Sequence, residues 1–422
     1  MVYVWRIQDM FPLLRAVQFP ILCSLAALAV FVMQGHVKAG MAALRTPMIA
    51  VTAFILAWMV VSVPGSVYQG LSFRFILDDH IKTFLMMLMI AATIRSFADV
   101  QRLVLINLLG AGVYCFMILT TFTVGPSGRL GDLFYYDAND LAMMVAATLP
   151  FAVYFLIAGE KLWHRMLALA CAGVFVLAIV RTGSRGGFLA LLGVGAYLLF
   201  FYSAIPARTR VGFLVGAVAL LMAIAGPQYW ASMGTLLNPK DDYNWSENNE
   251  VGRMAIWKRG MGYMRANPVA GVGVNAFPVA EGTLSELASR QQLNVGLKWS
   301  AAHNSFVQIG AELGVPGLVA FVLMLARMFH SAWRMARRRV DPGPKPSKAN
   351  ALGHAFVAGL VGYVIGGFFL SQAYSALLYA MCGILTGFVL TSASLPTTRV
   401  MPAPATTTPL RRGSRRFARQ LP

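Results

Sequence analysis

The stretch that decides the fold is MLALACAGVFVLAIVRTGSRGGFLALLGVGAYLLFFY, residues 166–202. Two apolar runs flank RTGSRGG (181–187), which carries Arg181 and Arg185, and no acidic residue lies between Lys161 and Ala207. Each run approaches the ~20 helical residues needed to cross ~30 Å of hydrocarbon. The stretch therefore reads as two membrane-spanning helices joined by a short turn that holds two cations at the bilayer edge.

The same pattern fills most of the chain. Of 422 residues, 58% are hydrophobic and 12% are charged, and the apolar residues cluster in long runs. We place spans near 16–34, 47–63, 81–94, 102–123, 139–158, 166–183, 187–203, 211–226, 305–326, 352–370 and 374–393. The fold class that follows is an all-α polytopic membrane protein, with about 11–12 transmembrane helices and one large non-cytoplasmic loop containing amphipathic helices. The first run opens with Arg15 and Gln18 and has no small-residue cleavage site after it, so it reads as a permanent span and not a removed signal peptide. The opening MVYVWRIQDMF (1–11) is either the remnant of a twelfth helix or a segment lying along the surface.

Orientation comes from the asymmetry of Lys and Arg between loops. One set holds Lys38, Arg45, Arg95, Arg102, Lys161, Arg165, Arg208, Arg210, the run RMARRRVDPGPKPSK and the tail RRGSRRFAR. These loops carry nearly the whole net charge of +19, which places them and the C-terminus in the cytoplasm. Basic residues spread over membrane loops argue against a nucleic-acid partner. Cys23, Cys115, Cys171 and Cys382 each sit alone in a different run, without metal or redox spacing, and read as packing residues.

Four regions follow: N-terminal spans at 1–226, a periplasmic loop at 227–302 capping the membrane face, C-terminal spans at 303–393, and a disordered basic cytoplasmic tail at 394–422, whose charge suits anionic lipid. Within the loop, Val251, Met254, Trp257, Met261 and Met264 recur at helical spacing up to Asn267-Pro268, and a second helix is expected through LSELASRQQ. Four of the chain's eight Trp (Trp230, Trp245, Trp257 and Trp299) fall in this loop, which points to a cap lying at headgroup level. NWS at 244–246 is a weak match to a glycosylation sequon and carries no weight.

Four polar clusters are candidates for chemistry. In RTGSRGG, glycines let a ligand approach the backbone, Ser184 can cap the next helix, and the arginines can grip phosphate oxygens in a planar fork. The competing reading is a snorkelling pair that sets helix depth. In EVGRMAIWKRGMGYM, Arg253 and Trp257 share a helix face at i, i+4; the competing reading for Arg253 is a solvated charge. In AAHNSFVQIGAELGVPGL, His303 and Asn304 sit where the large loop meets the ninth span. A lone His is more often structural, but this one can take a proton from a hydroxyl near neutral pH. Glu312, inside the apolar run, reads as a packing or hydrogen-bonding residue. In PSGRLGDLFYYDANDLAMM, Asp137 and Asp140 read first as helix caps, while Arg129 and Asn139 can contact a polar substrate. The DDH run at 78–80 is a poor metal site, because adjacent Asp side chains chelate together with difficulty.

Together, SRGG (184–187), the GR, W and NPVAGVGVNAF elements across 252–277, and HN with ELGVPGL across 303–318 resemble the O-antigen ligase family. GRLGDLFYYDANDLA is similar to a further family segment, although Ala138 stands where Pro is usual. The family shares its C-terminal membrane region with O-antigen polymerases and some protein O-oligosaccharyltransferases. The resemblance covers roughly residues 80–393 and implies a glycosyltransferase in the bacterial inner membrane that works at the periplasmic face. It implies a glycan donor on undecaprenyl pyrophosphate and a lipid A core, glycan or protein acceptor, with no metal and no cofactor. By the same resemblance, Arg185 and Arg253 bind the pyrophosphate and stabilise its charge on leaving, and His303 activates the acceptor hydroxyl. Arg181, Lys82, Arg129, Asn139, Trp257 and Asn304 are the further substrate-binding candidates, with Trp257 along the sugar path. The single loop favours a ligase or polymerase over a protein-modifying enzyme. A lipid-linked glycan transporter is the competing class; it needs polar groups continuing to the cytoplasmic face, whereas here they concentrate on one face.

Overall fold

The computed structural model describes residues 2–125, 128–131, 133, 136–238, 244, 249–288, 299–338 and 347–393. The expected tail at 394–422, Trp245, most of the NWS sequon and the second half of LSELASRQQ lie outside them.

The chain opens with α1 (Val2–Trp5), a 3-10 turn (Ile7–Met10) and α2 (Pro12–Ala16), then α3 (Phe19–Met33) and α4 (Val37–Leu44), which meet at a 98° bend. Next come α5 (Pro47–Ser62) and α6 (Gln69–Phe75), which continues through a π-helical turn at Ile76–His80 into α7 (Ile81–Thr93). Then follow α8 (Phe97–Thr121), α9 (Ala138–Ala158), α10 (Leu162–Thr182), α11 (Arg185–Phe200) and α12 (Ala207–Ile224). Three shorter helices, α13 (Pro227–Gly234), α14 (Arg253–Ala266) and α15 (Phe277–Thr283), precede α16 (Ser305–Arg337), α17 (Lys348–Gly367) and α18 (Ala376–Ala393). Seven helices (α5, α8, α9, α10, α12, α16 and α17) are long and apolar enough to cross a membrane, and the bent α3–α4 pair passes as one more. Each of the eleven apolar runs holds a helix, so the protein is an all-α polytopic membrane protein.

The opening segment begins with the short helix α1, which is turned into the bundle. Val4 and Trp5 are buried, the Trp5 indole donates to Asn107 Oδ1 (3.2 Å), and the Tyr136 hydroxyl donates to the Val4 carbonyl (2.7 Å). An aromatic residue with one polar atom can be sealed in a bundle only where that atom finds a partner, and Asn107 on α8 supplies it.

The helices start where the sequence places acceptors for the unpaired amides of the first turn. Ser96, Asp137 and Ser347 close capping boxes with Asp99, Asp140 and Asn350, and Ser184 accepts from Gly187 N (3.1 Å). Asp137 and Asp140 are thus caps, as the sequence suggested. At the centre, α17 lies directly on α9: a Cβ at Gly359 or Gly362 would stand 2.6 or 2.9 Å from the carbonyl oxygen of Ala147 or Ala146. Lipid competes poorly with such backbone-to-backbone contact, which small residues permit.

Helix α16 is broken at Gly314, whose φ of 67° and ψ of −166° lie outside helical space, two residues before Pro316. A proline removes one amide donor, so carbonyls before the break need other partners. They find them in the NPVAGVGVNAF loop and in α5: Val272 N donates to Ala311 O (2.8 Å), Gly273 N to Glu312 O (3.0 Å) and the Trp58 indole to Leu313 O (3.0 Å). In return Val315 N donates to Pro268 O (2.8 Å). The loop is therefore wedged into the break in the helix and does not rest on a surface.

Two expectations about the large loop need correction. Helix α14 ends near Asn267 as expected, but it buries Ile256, Trp257, Gly260 and Tyr263, while Val251, Met254 and Met261 are exposed. A Cβ at Gly260 would meet Val307 of α16 and Phe277, so small size at that position, more than an apolar stripe, sets the docking face. The next helix is α15, which stops at Thr283; residues 284–287 of the LSELASRQQ stretch form turns where a helix start is expected, and 289–292 lie outside the described residues.

Candidate functional site

One end of the bundle gathers the starts of α9, α11 and α16 with the turn between α17 and α18. Gly183, with φ of 55°, ends α10 in the left-handed region that glycine adopts without a Cβ penalty, and Ser184 then caps α11. The room left by the glycines is filled by protein: the Arg129 stem lies over Gly183, Phe369 over Gly186 and Ala142 over Gly187. The glycines therefore serve packing here, a correction to the reading in which they admit a ligand to the backbone.

Arg185 is half-buried and donates from a terminal guanidinium nitrogen to Thr235 Oγ1 (2.8 Å), at the end of α13. Arg181 is exposed, and its carbonyl accepts from Leu130 N (2.9 Å). Arg129 straps the two clusters together, donating from Nε to Thr182 O (3.0 Å) and from a terminal nitrogen to Asn139 Oδ1 (2.8 Å). Asn139 in turn donates through its backbone to Asp137 Oδ1 (2.7 Å). Arg129, Asn139, Arg181 and Arg185 thus share one edge.

His303 is half-buried, stands at φ 48° and donates its backbone N–H to Ser371 Oγ (2.8 Å). A histidine in the left-handed region is uncommon and strained. It is followed by Asn304, 2% exposed, whose side-chain oxygen accepts from Phe306 N (2.8 Å) and Val307 N (3.1 Å). Asn304 is the cap of α16, so its carboxamide oxygen is already committed to the helix. Trp257 is also turned inward: its indole donates to Ala302 O (3.0 Å) and its ring meets Phe368 edge-on at 5.3 Å. Trp257 braces the turn before His303 and does not present an open aromatic face to a sugar. Arg253 lies one helical turn earlier, half-buried at the first position of α14. Lys82 stands apart on α7, half-buried, outside these contacts.

The element that joins the clusters is the turn FLSQAYS (369–375), which the sequence reading treated only as a gap between spans. Ser305 Oγ donates to Leu370 O (2.8 Å) and accepts from Gln372 N (3.0 Å), and Gln372 Nε2 donates to Asp140 Oδ1 (2.8 Å). The Tyr374 hydroxyl donates to Glu312 Oε2 (2.8 Å), whose other oxygen accepts from Phe277 N (3.2 Å). Glu312 is a hydrogen-bonding residue of the wedge, as its position suggested. The available signal was the polar Ser371-Gln372 pair, placed between two apolar runs without a glycine or proline.

The loop helices carry a second unanticipated group. Arg259 grips Glu281 through Nε (2.9 Å to Oε1) and a terminal nitrogen (2.5 Å to Oε2), and the Tyr263 hydroxyl donates to Glu281 Oε1 (2.8 Å). Burial alone would lower the Arg259 guanidinium, but the Glu281 carboxylate holds it above its ordinary value. Burial, and then the bond to Glu281, pushes the Tyr263 phenol up. Among the described residues no three His, Cys, Asp or Glu side chains converge to hold a metal ion. In the DDH run, Asp78 and Asp79 are exposed while His80 is buried.

Residues 170–322 match the family model described as O-Antigen ligase. This segment is similar to O-antigen ligases. It contains Arg181, Arg185, Arg253, Trp257, His303 and Asn304, whereas Lys82, Arg129, Asn139 and the 369–375 turn lie outside the matched range. No curated protein matches the chain. The matched segment thus carries the SRGG and His303 turns, and the flanking helices supply the Arg129 strap and the turn that joins them.

Proposed function

We propose that this protein is a ligase-type glycosyltransferase that moves a glycan from undecaprenyl pyrophosphate to the core oligosaccharide of lipid A. In this reading the site faces the periplasm, the basic loops face the cytoplasm, and the membrane is the bacterial inner membrane. The observation that carries the reading is the joining of the SRGG turn, the His303 turn and the start of α9 through residues 369–375, at one end of a bundle that includes the matched segment.

Arg185 and Arg253 hold the pyrophosphate and stabilise its charge as the glycosyl bond breaks, as preorganised cations do in a site shielded from bulk water. His303 takes the proton from the acceptor hydroxyl as that oxygen attacks the anomeric carbon. Its strained backbone, held by Ser371 on one side and the Asn304 cap on the other, supports this role, since strain of this kind concentrates at functional sites. Arg181 supplies a further cation at the edge, and Arg129 with Asn139 fixes the turn from which Arg185 projects. Two arginines on the leaving group supply the positive charge that a divalent cation would otherwise provide, so transfer is expected to persist in EDTA.

The test is transfer by the purified protein from undecaprenyl-pyrophosphate glycan, in EDTA, to lipid A core, to a second lipid-linked repeat or to an acceptor protein. Product with lipid A core alone supports the ligase reading. Product with another acceptor reassigns the enzyme to polymerase or protein oligosaccharyltransferase. Binding of the lipid pyrophosphate without product from any acceptor makes the protein a transporter.

A further inference from the structure

A cavity of about 290 Å³ opens behind the His303 turn, bounded by α7, the start of α9, the 267–277 loop and the 369–375 turn. It shares Ser371 and Gln372 with the site above, yet Arg185, Arg253 and His303 do not line it. His80 does, and is 1% exposed; Ser375, 7% exposed, also lines it, and among the described residues neither the His80 ring nitrogens nor the Ser375 hydroxyl has a hydrogen-bond partner. Buried polar side-chain atoms nearly always have partners, and leaving one without is costly. Two such residues on one small cavity mark a surface shaped for something that hydrogen-bonds. The π turn at Ile76–His80 is what places His80 there, and π turns within helices are frequent at functional sites.

The lining specifies the chemistry of that something. Asp140, Asn275, Gln308 and Gln372 bring carboxylate and carboxamide groups, and Phe75 and Tyr374 bring ring faces. Among the charged groups, Asp79 and Asp140 outnumber Arg6, which is itself paired with Asp9 at 2.6 Å. A phosphate would meet two carboxylates here, so the pocket is unsuited to the anionic part of a lipid-linked donor. At the small end of the ~300–1,000 Å³ typical of ligand sites, it has room for a sugar ring and not for a chain of them.

We propose that this cavity binds one neutral sugar ring, with His80 and Ser375 hydrogen-bonding its hydroxyls, and that it is a saccharide subsite separate from the arginines that hold pyrophosphate. The assignment rests on the transferase reading for which glycan is meant: the ring belongs either to the donor glycan or to the acceptor oligosaccharide.

The test is calorimetric binding to the full-length protein in detergent, using two soluble probes. One is the glycan released from the lipid-linked donor; the other is a delipidated, dephosphorylated lipid A core oligosaccharide. His80→Leu and Ser375→Val remove the two unpartnered groups while keeping the sites filled, and replacing an unpartnered buried polar group by an apolar one leaves the thermal midpoint unchanged or higher. At least one probe is expected to bind the wild type and to bind at least tenfold more weakly to both variants, with inorganic pyrophosphate affinity unchanged; the probe that does so names the source. If His80→Leu does not fold, Ser375→Val decides alone. No binding of either probe, or a smaller loss, overturns the proposal. Glycan binding that is lost in the variants of a protein with no transferase activity would leave this subsite standing and remove the transferase reading alone.

Discussion

Arg185, His303 and Asn304 stand at one edge, and the proposed function gives chemistry to the first two while the structure commits the third to a helix cap. Asn304 spends its side-chain oxygen on two amides of α16, so Asn304→Ala is expected to cost ~1 kcal/mol of stability, the usual price of a lost helix cap, with transfer per folded molecule little changed. A thermal melt in detergent alongside the transfer assay separates the two effects. His303→Ala is expected to do the reverse, leaving the melt near wild type and removing transfer. Arg185→Lys keeps the charge but loses the planar fork; one charged hydrogen bond is worth ~1.5–3 kcal/mol, so transfer should fall roughly tenfold to a hundredfold. A variant within twofold of wild type would show that Arg185 acts as a point charge or not at all. The candidate residues were readable from the sequence because cations and a histidine are conspicuous against apolar runs. Which of them are already committed was not, since Trp257 and Asn304 find their partners only when α14, α16 and the 369–375 turn meet.

At the scale of elements, the break in α16 and the wedge that fills it fix where the site turns lie. Gly314 stands at φ 67° with its would-be Cβ 2.5 Å from the carbonyl oxygens of Pro268 and Val269, so Gly314→Ala faces both a strained backbone and a collision. A loss of ~1–3 kcal/mol is expected from the backbone alone. The Arg259–Glu281 pair locks α14 to α15, and Glu281→Ala leaves a partly buried guanidinium without its carboxylate, at an expected ~3–5 kcal/mol. Both losses should appear as a lowered thermal midpoint, and a midpoint within about a degree of wild type would contradict the described packing. The α14 helix was legible from its apolar recurrence and its Asn-Pro stop. Its phase was not, because the docking face is set by the absence of a side chain at Gly260 and by a buried ion pair, and neither contributes to an apolar stripe.

At the scale of the whole molecule, eleven apolar runs became helices in the expected places, because run length against bilayer thickness is a strong constraint. The opening segment follows another logic: Val4 and Trp5 are buried by neighbours distant in sequence, through Asn107 and Tyr136. The proposed topology predicts that a single cysteine at Gly131 is labelled by a membrane-impermeant thiol reagent from the periplasm, and one at Ser203 only from the cytoplasm; the opposite pattern would invert the assignment. The central proposal is narrower: pyrophosphate-bound glycan is transferred by two arginines, Arg185 and Arg253, and by His303. It is tested most directly by single-turnover release of undecaprenyl pyrophosphate in EDTA with lipid A core present, for wild type, Arg185→Ala, Arg253→Ala and His303→Ala, all purified as folded protein. Release by the wild type and its loss in all three variants, by ~10²-fold or more as for removal of a transition-state donor, is the predicted result. Release at wild-type rate by any of the three would contradict the account.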